Sequence, residues 1–105
     1  MSLLDKSIEL DSLNYFSYNL KALIYSKSGR IEPAKKIYVY IVTKEPAFAS
    51  AYMNLGNLYW DEGDVESAWD IWSMGLKANP RDVNLERWTH VAEDSLRILV
   101  ETGRL

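Results

Sequence analysis

A chain of 105 residues with 48% apolar and 26% charged residues is long enough to bury one core and too short for two. Its net charge of -3 gives no bulk attraction to nucleic acid or an anionic membrane, and the absence of cysteine removes disulfides, thiolate metal ligands and thiol nucleophiles. No apolar run approaches the ~20 residues of a membrane-spanning helix. Asp5, Lys6, Glu9 and Asp11 interrupt any signal-peptide stretch at the start, so the expected compartment is the cytoplasm.

In chain order, the spacing predicts a helix over 15–28, a break at Ser28-Gly29, and a second helix over 32–44 that stops at Glu45-Pro46. Tyr52, Leu55, Leu58 and Tyr59 then recur at intervals of three and four, the mark of one helical face. Gly63-Asp64 interrupts that helix, and Asp64 is placed to cap the next by accepting from its free N–H groups. Val65, Ala68, Trp69, Trp72 and Leu76 form the stripe of that next helix, which ends at Asn79-Pro80. A longer helix is expected from Arg81 to about Thr102, with Leu85, Trp88, Val91, Ala92, Leu96 and Leu99 on one stripe and Thr102-Gly103-Arg104-Leu105 as its stop. No stretch alternates with period two, so β structure has no support.

The chain repeats itself. Shifted by 34 residues, Tyr18 falls on Tyr52, Tyr25 on Tyr59, Gly29 on Gly63, Ala34 on Ala68, Tyr38 on Trp72 and Pro46 on Pro80. In the second unit Tyr52-x2-Leu55-Gly56-x2-Tyr59, Ala68-x3-Trp72 and Pro80 resemble the tetratricopeptide repeat, with Tyr at its usual Trp and Trp at its usual Phe. The first unit matches at Tyr18, Ala22, Tyr25, Ala34, Tyr38 and Pro46, but Lys21 stands where the family has Leu. A half-repeat family of RNA-processing proteins uses similar helix pairs; the Leu55-Gly56 pair and the period of 34 favour the tetratricopeptide reading.

The resemblance covers about two thirds of the chain and implies an all-α, right-handed helical-hairpin solenoid. Its expected parts are a leading half-repeat helix over 1–14, repeat 1 over 15–48, repeat 2 over 49–82 and a capping helix over 83–105. Asp5–Ser12 resembles the last turns of a second helix of this family, with Ser12 at the place of its terminal proline, so the chain is expected to begin inside a repeat. Two repeats are few for a solenoid, in which each unit buries its face only on a neighbour.

Chemistry finds no footing. The acids Asp61, Glu62, Asp64 and Glu66 lack the spacing of a calcium loop, because Val65 and a helix start intervene and the Glu comes too early. His90, the single histidine, has Asp94 one turn on and no convergent nucleophile. The five glycines are dispersed rather than gathered into a phosphate loop. No enzyme activity, metal or cofactor is expected.

What remains is interaction with a protein or peptide. In the family, first helices line a groove that holds an extended peptide, which implies Phe16, Asn19, Leu20 and Leu23 from repeat 1. Repeat 2 contributes Met53, Asn54, Asn57 and Trp60, and the last helix Asn84, Arg87, Trp88 and Val91. The family's clamp for acidic chaperone tails is not met: of its five places only Asn54 agrees, the others being Asn19, Leu23, Asn84 and Trp88. Apolar residues around more of the last helix than a cap needs, at Leu96, Ile98, Leu99 and Val100, point to self-association and a homo-oligomer. Residues 15–48 hold six cations against two acids and 49–82 six acids against two cations, a polarity that could orient a partner. RNA binding by the basic, tyrosine-rich first repeat is the remaining alternative, weakened because Tyr18, Tyr25 and Tyr38 serve as packing landmarks. The leading expectation is a non-enzymatic scaffold that self-associates through its end helices, with a peptide groove on repeat 2 as the alternative.

Overall fold

The computed structural model describes residues 14–104, and the leading helix expected over 1–14 lies almost wholly outside them. Among the described residues five helices follow one another: α1 Tyr15–Lys27, α2 Ile31–Lys44, α3 Ala49–Asp61, α4 Val65–Ala78 and α5 Val83–Glu101. No strand occurs among the described residues. Each helix packs on the next in sequence, and the first helices of successive repeats, α1, α3 and α5, also touch. The stack is elongated, 48 × 30 × 16 Å.

The turns inside the hairpins are copies of one another. Gly29 and Gly63 adopt φ of 83° and 82°, the left-handed conformation that costs glycine nothing. Each lets the following residue reach back: the Arg30 N–H donates to the Tyr25 carbonyl at 2.8 Å, and the Asp64 N–H to the Tyr59 carbonyl at 2.9 Å. Asp64 then caps α4, its carboxylate accepting from the Ser67 N–H at 3.1 Å and the Ser67 hydroxyl at 2.7 Å. Asp82 caps α5 in the same way through the Leu85 N–H at 2.9 Å. That cap is why α5 starts at Val83, two residues later than the periodicity suggests.

Packing follows the repeat landmarks. Tyr18, Ala22, Tyr38 and Ile41 fill the core of the first hairpin, and Ala51, Leu55, Ala68 and Trp72 that of the second, all essentially without exposure. Burial of a side chain of this size is worth roughly 1.5–3 kcal/mol, so these landmarks carry much of the fold. Between hairpins, Lys35 of α2 donates to Glu62 at 2.8 Å, lies 3.6 Å from Glu32, and stands 4.4 Å over the Tyr59 ring. The Asn79 amide reaches back to the Pro46 carbonyl at 3.1 Å and so ties the ends of the two repeats together.

Candidate functional site

Helices α1, α3 and α5 stand side by side and carry the polar residues that the sequence leaves unburied. Asn54 sits at the middle of this face, where its amide donates to the Asn19 side-chain oxygen at 3.1 Å. Two clefts open on either side of it. One, of about 320 Å³, crosses all three helices and is lined by Asn19, Ser50, Met53, Asn54, Asn57 and Asn84 among others. The second, of about 410 Å³, runs between α1, α2 and α3 and has Leu23, Lys27, Tyr38, Asn54, Asn57 and Asp61 on its walls. Asn54 and Asn57 line both, so the clefts join into one groove.

The groove is amide-rich with an apolar floor. Its carboxamides offer both donors and acceptors, the pairing that an extended peptide backbone needs. Beneath them the Tyr38 hydroxyl is buried without a hydrogen bond of good geometry. Burial pushes that phenol up to about 12, opposed by the neighbouring Asn54 amide. At one end of the groove Lys27 and Asp61 set opposite charges on the two walls.

The twelve groove positions implied by the repeat pattern divide in two. Asn19, Leu23, Met53, Asn54, Asn57 and Asn84 line the clefts. Phe16 and Leu20 project from α1 at 78% and 57% exposure without lining either cleft, and Arg87 is exposed on α5. Trp60, Trp88 and Val91 are half-buried. The Trp60 ring lies 5.7 Å from Trp72, Trp88 lies 5.7 Å from Trp72, and the two outer rings meet edge-on at 6.4 Å. That cluster ties α5 to the second hairpin. Lining residues that the pattern omits, such as Lys27 and Asp61, sit one turn beyond Leu23 and Asn57 on the same helices. Extending each stripe by four residues finds them.

The four residues expected at a self-association surface also divide. Leu96 and Leu99 are half-buried, while Ile98 and Val100 are 55% and 61% exposed. Two positions apart on a helix, Ile98 and Val100 point roughly 200° from one another, so they form no single flat face. In the basic repeat, Lys35 is already paired with Glu62, and Tyr18, Tyr25 and Tyr38 are in the core. Among the described residues no group of three His, Asp or Glu side chains is placed to hold a metal ion. None of the described helices is long and apolar enough to cross a membrane.

The hairpin geometry, with its duplicated glycine turns and aromatic landmarks, is matched by comparison with known families. The family model described as tetratricopeptide repeat matches residues 17–39 and 49–68, one segment in each hairpin. These two segments are similar to the tetratricopeptide repeat. The repeats support a protein–protein interaction scaffold in general terms, and the described helices form the helical-hairpin solenoid that such repeats imply.

Proposed function

We propose that the protein binds an extended segment of a partner protein in the groove formed by α1, α3 and α5. One observation carries the reading: four asparagines, Asn19, Asn54, Asn57 and Asn84, line one cleft that crosses all three first helices. Within the chain, Asn54 donates to Asn19 and lies beside the buried Tyr38 hydroxyl. A peptide main chain, with a donor and an acceptor at every residue, is the ligand that matches it. Leu23 and Met53 supply apolar contact beside the amides.

Asn57 is the residue to change, because it is exposed and lines both clefts. Peptides selected from a random display library on the full chain should bind the Asn57→Lys variant at least about tenfold more weakly, the scale of a lost contact of 1.4 kcal/mol. Asp70→Lys, on the second helix α4, should leave their affinity unchanged. Selected peptides indifferent to Asn57→Lys and sensitive to Asp70→Lys would contradict the groove reading.

A further inference from the structure

The period of 34 allows one place in the stack to be compared with its copy. The cleft between α1, α2 and α3 has Ser26, Tyr38 and Asn54 on its walls. One repeat later the same three positions are Trp60, Trp72 and Trp88. There Trp72 lies 5.7 Å from each of the other two rings, which meet each other at 6.4 Å. Repeat 1 leaves about 410 Å³ open instead. The fold thus brings three large rings together at this place in one unit and keeps it polar and open in the other.

The open version contains a polar group that the chain does not satisfy. Tyr38 is wholly buried, and its hydroxyl has no hydrogen bond of good geometry. Asn54, beside it, donates to Asn19 at 3.1 Å. An unpaired buried hydroxyl is unfavourable, and a ligand group that bonds to it removes that penalty.

The charges around the cleft indicate which group. Helices α1, α2 and α4 each carry a lysine in the last turn, Lys27, Lys44 and Lys77, as the negative end of a helix favours. Helix α3, like α5, carries none, and it ends on Asp61 with Glu62 as its C-cap. Lys35 bonds to Glu62 at 2.8 Å, whereas no ion pair among the described residues includes Asp61. Along the two joined clefts Lys27 is the one described cation against three acids, Asp61, Glu62 and Asp82. A cationic ligand group suits this balance. Leu23, Ile31 and Leu58 line the same cleft and suit an aliphatic stem. From Asn54, beside Tyr38, to Asp61 is about 10 Å along the helix. A guanidinium, planar and with five N–H donors, spans more of that distance than the point charge of a lysine.

We propose that this cleft takes an arginine side chain of the bound segment, its guanidinium on the Asp61 carboxylate and reaching toward the Tyr38 hydroxyl oxygen. The inference rests on the groove reading above and names the side chain that the groove selects. Lys27, exposed on the opposite wall, turns its charge to solvent when the arginine enters.

Random peptide libraries are selected in parallel on the full chain and on its Asp61→Asn, Lys27→Gln and Asn57→Lys variants, and the pools are sequenced. The wild-type pool should be enriched in arginine at one position at least about fivefold over the input. Asp61→Asn should remove that enrichment and Lys27→Gln should keep it. A selected arginine peptide should bind Asp61→Asn at least about tenfold more weakly, a difference that vanishes when norleucine replaces its arginine. Tyr38→Phe should weaken the arginine peptide at least about threefold and leave the norleucine peptide unchanged, a contrast that a purely structural hydroxyl would not give. Enrichment of aspartate or glutamate that disappears in Lys27→Gln overturns the proposal in favour of an acidic ligand. Lysine enriched as strongly as arginine overturns the guanidinium contact. Pools with no charged preference also overturn the proposal, and if their peptides still lose affinity for Asn57→Lys the groove itself stands. Failure to enrich any peptide on the wild-type chain overturns both readings.

Discussion

Gly56 and Trp72 fit one another: a Cβ on Gly56 would fall inside the Trp72 indole, whose Nε1 donates to the Met53 carbonyl at 3.3 Å. The same hairpin holds the reverse contact, since a Cβ on Gly75 would come within 2.6 Å of the Tyr52 ring. Each of the two helices thus gives up a side chain to seat the other's aromatic. Repeat 1 solves the first of these contacts differently, with Ala22 at the position of Gly56 and the smaller Tyr38 at that of Trp72.

Gly56→Ala should therefore destabilise the fold. Overpacking costs about 1–3 kcal/mol, against roughly 1 kcal/mol recovered from helix propensity. Adding Trp72→Tyr transplants the pair of repeat 1, and the double variant should lose about 1–2 kcal/mol less than the sum of the single losses. Urea unfolding followed by far-ultraviolet circular dichroism reads both. Simple additivity would mean that the two residues do not constrain each other.

The Asp64 cap predicts a specific acid sensitivity. The hydrogen bonds from the Ser67 hydroxyl and Ser67 N–H hold this carboxyl below its ordinary 3.8. A depressed carboxyl contributes stability that is present above about pH 4 and lost as pH falls through the lowered value. Asp64→Asn preserves the cap without the titration, so its stability should fall less than wild type between about pH 5 and pH 2. Asp64→Ala should cost about 0.5–1 kcal/mol at neutral pH. Thermal melts across that range compare the three proteins.

At alkaline pH two groups act in the same direction. The Tyr38 phenol, with an ordinary value of 10.0, is pushed up to about 12 by burial. Lys35 is raised by its hydrogen bond to Glu62, with burial opposing. Both contribute stability that is complete below their unfolded values and disappears as pH rises through the folded ones. Unfolding should begin above about pH 10. Tyr38→Phe should delay it and remove the last phenolate step in an absorbance titration. Because the hydroxyl lacks a well-formed partner, the substitution should change neutral-pH stability by less than about 1 kcal/mol.

Trp60 belongs to the packing before it belongs to any ligand. Trp60→Ala should lower stability by about 2–3 kcal/mol through loss of contact with Trp72 and Trp88, and Trp88→Ala should loosen α5 in the same way. Hydrogen exchange of the α5 amides is the measurement. Protection of α5 unchanged in both variants would mean that the three rings do not tie this helix down.

The period of 34 made most of the fold legible: it located both hairpins, both glycine turns and the buried landmarks Tyr18, Tyr38, Tyr52 and Trp72. These positions repeat because each must fill the same space between the same helices. The Lys35–Glu62–Tyr59 contact was not legible, since it joins residues 24 and 27 apart through a packing angle that periodicity does not carry. Trp60 shows the same limit in the candidate site. A helical wheel places it one turn after Asn57 and next to the groove, but the size of Trp72 and Trp88 draws its ring into the core. Asn57 and Asn84 were legible as groove residues because no aromatic neighbour competes for their side chains.

The most direct test of the groove is the set of asparagine side-chain amides, seen by ¹⁵N-resolved NMR during titration with a library-selected peptide. The account predicts that the NH₂ signals of Asn19, Asn54, Asn57 and Asn84 shift together and saturate with one affinity, while Asn79, in the turn behind the groove, stays still. Shifts confined to Asn79 and to the backbone around Ile98 and Val100, with the four groove amides unmoved, would contradict it.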